Sequence, residues 1–276
     1  MEIRVEGTDD AAAALRRART FLETRPAEHN LVHTLLGQRA RNPEPGRYWT
    51  ARDGHDVVGV VFLSPLTYPV TITPAPVRAV DALVEAVAAD VPGLVGVNGD
   101  VTTAARFAGE WAGRCGVPVT TEEPQRLYRL GTLVPPRDVS GVRRLAGPDD
   151  LEVLAEWADG FRVDTGLAAV ADNLARMALD VDDARVSVWD DDGARSMATL
   201  SLAVGGAVRV QHVYTPPPSR GRGYASALVA AASAHALAQG PSTCVLYTQL
   251  SNPSSNAIYR ALGYEPVLET LRYRFA

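Results

Sequence analysis

Apolar and polar residues alternate along Ala207-Val-Arg-Val-Gln-His-Val-Tyr-Thr215, the period-two pattern of a strand with one face buried. Pro216, Pro217 and Pro218 end that strand, because proline cannot donate a ladder hydrogen bond. Past a short glycine-bearing turn, apolar residues recur at Ala225, Leu228, Val229, Ala232 and Ala236, the spacing of one helical face. Thr243 to Leu250 then reads as a second strand. The helix between the two is the crossover that parallel neighbours require.

The same order occurs twice. Residues 48–52 and 57–63 are apolar runs separated by Asp53-Gly54, a hairpin signal. Tyr68 to Thr73 follows, ends at Pro74 and Pro76, and leads into a helical stretch to about Asp90. In the second half the matching pieces are Val186–Trp189, the Asp192-Gly193 turn, Met197–Val204, the Gly205-Gly206 turn and the strand ending at Thr215. Short apolar strands follow at Leu94–Val97 and Cys244–Leu250, then a helix, then Gly-Val-Pro-Val at 116–119 against Gly-Tyr-Glu-Pro-Val at 263–267. Each half closes on a tyrosine-containing strand, near Leu127–Leu130 and Leu271–Phe275. The chain reads as two copies of one mixed α/β fold, a central mixed sheet flanked by helices in each, at an offset of about 140 residues. The expected domains are 1–134 and 138–276, divided at the proline-bearing stretch Thr132–Ser140.

The turn after the prolines, Arg220-Gly-Arg-Gly-Tyr-Ala225, has the chemistry of a phosphate cradle. The first turn of a helix has N–H groups without partners and the positive end of the dipole. Gly221 and Gly223 have no Cβ, so a phosphate can come close to the backbone. A Walker loop is excluded, since all 27 basic residues are arginine. A dinucleotide fingerprint fits poorly: Ser226 stands at its third glycine position, and hairpins come before the strand.

The turn matches the Gln/Arg-x-x-Gly-x-Gly/Ala signature of the GCN5-related N-acetyltransferases, which this region resembles. Asn252-Pro-Ser-Ser-Asn-Ala-Ile-Tyr259 followed by Gly263-Tyr264 resembles that family's Asn-x-x-Ala-x-x-x-Tyr segment, with Ser255 in place of the alanine. The resemblance implies acetyl-CoA as acyl donor substrate. Amides at Val213, Tyr214 and Thr215 would face the acyl-pantetheine arm. Arg220, Gly221, Arg222, Gly223, Tyr224 and Ala225 would hold the pyrophosphate, with Asn252 close by. Tyr259 would protonate the leaving thiolate. Asn252-Pro253 is also a natural helix entry.

The base is harder to find. His212 lies on the strand and can titrate near neutrality, but it alternates with Gln211 and Val213 and could face away from the cleft. No glutamate occupies this strand. Asp164, in an expected loop Gly160–Gly166, could instead touch the substrate or order a water, and such a residue is more often a solvated loop charge. Tyr264 is expected in the core. The first half lacks the chemistry: Pro76-Val-Arg-Ala-Val replaces the glycine turn, and Ala112 falls at the place of Tyr259. Its expected role is to shape the active-site cleft.

Composition narrows the setting. Across 276 residues, 46% are hydrophobic and 21% charged, ordinary for a globular chain. A net charge of −5 argues against nucleic acid. No apolar run approaches the length of a membrane span, and no secretory signal opens the sequence. Cys115 and Cys244 are expected as buried small residues, and the five histidines have no metal-ligand spacing, so no metal is expected. These features point to a cytoplasmic setting, and the resemblance implies an acyltransferase acting on a small-molecule, protein or peptide amine; no acceptor or oligomeric state is legible. Two alternatives remain open: an amino-acid N-acyltransferase resembling glycine N-acyltransferase, and a non-catalytic acyl-CoA-binding sensor or scaffold.

Overall fold

The structure, a computed structural model, describes residues 2–166 and 173–276. The first half runs β1 (Ile3–Thr8), α1 (Ala11–Thr24), α2 (Asn30–Arg41), β2 (Arg47–Asp53), β3 (Asp56–Leu63), β4 (Val70–Ile72), α3 (Val77–Asp90), β5 (Gly96–Asp100), α4 (Val101–Cys115), β6 (Val119–Thr121) and β7 (Gln125–Leu130). The second repeats the order with β8 (Val142–Leu145), α5 (Leu151–Thr165), α6 (Asn173–Asp182), β9 (Val186–Asp190), β10 (Ala194–Leu200), β11 (Ala207–Tyr214), α7 (Tyr224–Ala238), β12 (Thr243–Gln249), α8 (Pro253–Ala261) and β13 (Tyr264–Phe275). The repeat is complete: β13 stands where β6 and β7 together stand in the first copy.

Local chemistry sets the turns. Asp192 and Gly193 both have positive φ, as do Gly205 and Gly206, the geometry that two-residue hairpins favour. Asp10 caps α1 by accepting from Ala12 N and Ala13 N at 2.8 and 3.0 Å. α7 is buried over most of its circumference, with Leu228, Val229 and Ala232 fully enclosed. It packs with Val208, Val210, Cys244 and Leu246 in the core of the second half. A second core, centred on Trp49, Leu83, Phe107 and Trp111, fills the first.

The two sheets are one. Thirteen strands form a continuous sheet in the order β1-β2-β3-β4-β5-β13-β7-β12-β11-β10-β9-β8, with β6 beside β13. Each half gives its last strand to the other. β7 lies in the second half's sheet, with Val245 opposite Arg129 and Gln249 opposite Gln125. β13 lies in the first half's, with Thr270 opposite Asp100 and Arg274 opposite Gly96. On its other side β13 pairs with β7, Tyr264 opposite Leu130, and with β6, Phe275 opposite Val119. The exchange covers the edge of β5 with β13 and that of β12 with β7, where each half's own sheet would otherwise end. The stretch after β7 follows the same path, as Gly131 N and Val134 N donate to Gly263 O and Leu262 O. A Cβ on Gly263 would lie 1.8 Å from Thr132 O, so this crossing requires glycine.

Two expectations are corrected. Gly160–Gly166 is no loop: α5 continues to Thr165, and Gly166 terminates it at φ 69°. Gly160 serves helix packing, since a Cβ there would press on the Tyr214 ring, 2.8 Å from Cζ. Cys115 is exposed at the end of α4, and only Cys244 is buried.

Candidate functional site

β11 and β12 run parallel and hydrogen-bonded from Ala207 and Thr243 to Arg209 and Val245, and then part. A bulge helps to separate them. Between Met197 and Thr199 β10 advances two residues, while their partners Tyr214 and Gln211 are three apart on β11. The extra residue is accommodated at His212, whose φ is 50°. A bulge resets side-chain alternation, so the period-two pattern cannot say which way His212 points. The parted strands open a cleft of about 1300 Å³.

The glycine turn closes one end of this cleft. Gly221 and Gly223 both lie in the left-handed region, at φ 77° and 81°. Gly223 is the N-cap of α7 and no side chain caps that helix, so the amides of its first turn remain available. A Cβ at Gly221 would touch nothing within 4 Å, whereas one at Gly223 would lie 3.0 Å from Val139 Cγ2. The concavity, the exposed amides and the dipole of α7 fit a pyrophosphate.

Arg220 braces the turn. Its Nε donates to Thr215 O at 2.9 Å and its Nη2 to Asp164 Oδ2 at 2.5 Å, and its guanidinium lies 5.7 Å from the Tyr214 ring centroid. Tyr224 spends its hydroxyl on Asp191 Oδ2. Val213, Tyr214, Thr215, Ala225, Asn252, Tyr259 and His212 line the same cleft, while Arg222 is exposed outside its wall.

Across the gap α8 presents Tyr259. Asn252 starts the helix, its Oδ1 accepting from Ser255 N at 2.9 Å. The Tyr259 ring packs between Tyr128 and Tyr264, with centroids 6.4 and 6.1 Å away. Tyr128 arrives on the exchanged strand β7 and donates to Asn256 Oδ1 at 2.8 Å. Burial pushes the Tyr259 hydroxyl up to about 12, against a smaller opposing effect of Ser255, so the group stays protonated at neutral pH. Tyr264 is in the core, hydrogen-bonded to Ser233 at 2.7 Å.

His212 is held in the opposite sense. Burial first, and then the charges of Arg162, Arg209 and Arg185, lower it to about 4. Its imidazole is neutral at pH 7 and a weak base. It packs edge-on against Phe161 at 5.5 Å.

Several lining residues carry no motif. Gln211 accepts from Arg209 Nε at 3.1 Å, and Gln249 donates to Thr165 O at 3.2 Å. Asn98, Glu122, Glu123 and Gln125 come from the first half. Glu122 holds Arg272 and Arg274, at 3.1 and 2.5 Å; Glu123 accepts from Ser251 N at 3.1 Å. The exchange of β7 and β13 brings them here.

Among the described residues the first half shows no comparable cleft. Its α3 starts at Pro76 without glycine or a side-chain cap, and the space beside β4 and β5 amounts to about 20 Å³. Counted from the helix caps Asp100 and Asn252, the place of Tyr259 falls on Phe107 rather than Ala112. Among the described residues no three His, Cys, Asp or Glu side chains could hold a metal ion, and no helix is long and apolar enough to cross a membrane.

The FR47-like protein family model matches residues 194–273. No curated protein matches the sequence. Among solved structures, a GNAT-family acetyltransferase from Colwellia psychrerythraea is similar at 10% identity and TM-score 0.64, with 99% of this chain and 100% of that one covered. A GCN5-related N-acetyltransferase from Sphaerobacter thermophilus is similar at 14% identity and TM-score 0.61, covering 99% and 95%. A tandem GNAT protein from the clavulanic acid biosynthesis pathway is similar at 15% identity and TM-score 0.57, covering 100% and 98%. The chain therefore has the GNAT fold over its whole length, in tandem, with an FR47-like domain at its C-terminal end.

Proposed function

On that fold, we propose that the chain is an N-acetyltransferase that binds acetyl-CoA in residues 138–276 and transfers its acetyl group to a primary amine. Residues 1–134 complete the acceptor end of the cleft and have no donor site of their own. The observation that carries this reading is the parting of β11 from β12 where it meets the uncapped, glycine-flanked start of α7, with Tyr259 across the gap.

When bound, acetyl-CoA supplies an activated thioester. The amides of the Arg220–Ala225 turn hold the pyrophosphate and those of Val213–Thr215 polarise the acyl carbonyl. Asn252 holds the start of α8, and with it the reach of Tyr259. A thiol titrates near ~8.5, below the Tyr259 hydroxyl at about 12, so Tyr259 stabilises the departing sulfur chiefly by donating a hydrogen bond. Neutral His212 and Gln249 orient the attacking amine or its water. The amine proton leaves to solvent, since β11 carries no carboxylate.

CoA release over a panel of amines, read as single-turnover rates, tests the proposal. Tyr259→Phe should slow acetyl transfer at least ~10²-fold, near ~2.7 kcal/mol of barrier, with acetyl-CoA affinity little changed. Acetyl-CoA binding without turnover on any amine would leave a sensor or scaffold as the reading. A Tyr259→Phe rate within a few-fold of wild type would remove Tyr259 from the chemistry.

A further inference from the structure

Arg209 lies on the last residue pair before β11 and β12 part, next in sequence to Val210, which lines the cleft. It is buried, at 9% exposure. Its Nη1 donates to Asn30 Oδ1 at 2.7 Å and its Nε to Gln211 Oε1 at 3.1 Å. Asn30 in turn donates to the Tyr247 hydroxyl at 3.3 Å. All these partners are neutral, and among the described residues no Asp or Glu pairs with Arg209. A buried cation without an anion is costly by several kcal/mol.

Gln211 links this charge to the cleft. It lies two positions along β11 and lines the cleft wall. Its Oε1 accepts from Arg209, so the group it has left to offer is its NH₂, a donor. The positive field reaches further, as Arg209 is one of the three arginines that lower His212. Among the described residues the carboxylates lining the cleft are engaged elsewhere: Asp164 with Arg220, Glu122 with Arg272 and Arg274, and Glu123 with the Ser251 amide.

We infer that the base of the β11–β12 gap is a carboxylate site, where Gln211 donates to a ligand carboxyl group and the buried Arg209 stabilises its charge. The inference rests on the acyl-CoA reading of the cleft. Two ligands supply this chemistry there: an acceptor amine that bears a carboxylate, such as an amino acid, or an acyl donor whose chain ends in one.

Calorimetry distinguishes them without turnover. In one arm, common amino acids are titrated against the amines they become on losing the carboxyl group, with and without CoA. In the other, succinyl-CoA is compared with acetyl-CoA. The expected result is at least ~10-fold tighter binding of the carboxylate-bearing member in one arm. That arm identifies the source. The preference should vanish in Gln211→Glu, which puts a carboxylate on Arg209, and in Gln211→Leu, which removes the donor; circular dichroism melts verify that the variants fold. No carboxylate preference in either arm, or one that survives both substitutions, overturns the inference and leaves Arg209 as a tie between the halves. Failure of acetyl-CoA to bind would instead strike the donor reading, while the amino-acid arm without CoA still reads the carboxylate site.

Discussion

His212 shows how one residue can line the cleft and yet be a poor base. Its pKa near 4, against ~6.5 when unfolded, means that the unfolded chain binds the extra proton between those values. Its stabilising contribution is complete above pH ~6.5 and is lost as pH falls through 4, up to ~3 kcal/mol. Burial lowers His29 and His33 in the same direction, so stability should fall as the solution is acidified. Thermal melts from pH 7 to pH 4 should show a shallower loss for His212→Asn than for wild type; parallel curves would contradict the assignment. A motif drew attention to Tyr259 because its neighbours Asn252 and Gly263 are local in sequence. Gln211 and Arg209 carry none, and the direction of His212 depends on a bulge that alternation cannot foresee.

At the scale of elements, the turn, the bulge and α5 set the shape of the donor end. α5 and β11 meet at Gly160, where the Tyr214 ring fills the space a side chain would need. The same ring lies beneath Arg220, so packing between α5 and β11 supports the Arg220–Ala225 turn. Gly160→Ala gains about 1 kcal/mol of helix propensity but forces a rigid ring to move, at a cost of about 1–3 kcal/mol. A net fall in thermal midpoint is expected, with weaker acetyl-CoA binding as Tyr214 shifts; an unchanged or raised midpoint would show that the ring yields freely. The strands, their Asp-Gly turns and the α7 crossover were legible because each follows from local periodicity and turn chemistry. The continuation of α5 through Gly160 was not, because the reason for that glycine lies on another element.

Across the whole molecule, the repeat was legible and the strand exchange was not. The tyrosine-bearing final strands are alike in the two copies, so nothing in the pattern says which sheet each joins. The exchange places Glu122, Glu123 and Gln125 of the first half in the wall of the cleft and Tyr128 against the Tyr259 ring. It also makes the two halves depend on each other. Residues 1–134 expressed alone should have an open gap beside β5, and residues 138–276 one beside β12. Each should be poorly folded by circular dichroism and bind no acetyl-CoA, while co-expression should give a 1:1 complex that does. Two separately folded fragments with no affinity for one another would contradict the exchange.

The account turns on an acyl-CoA held in the gap between β11 and β12. The most direct measurement is calorimetric titration of acetyl-CoA into the intact chain and into Gly221→Ala. A methyl group at Gly221 meets no protein atom within 4 Å, so beyond the strain of a left-handed φ it adds bulk only where the pyrophosphate would lie. One acetyl-CoA per chain is expected, with affinity at least ~10-fold weaker in the variant, ~1.4 kcal/mol, and the fold retained. Two acetyl-CoA per chain, no binding at all, or equal affinity in a folded Gly221→Ala would contradict it.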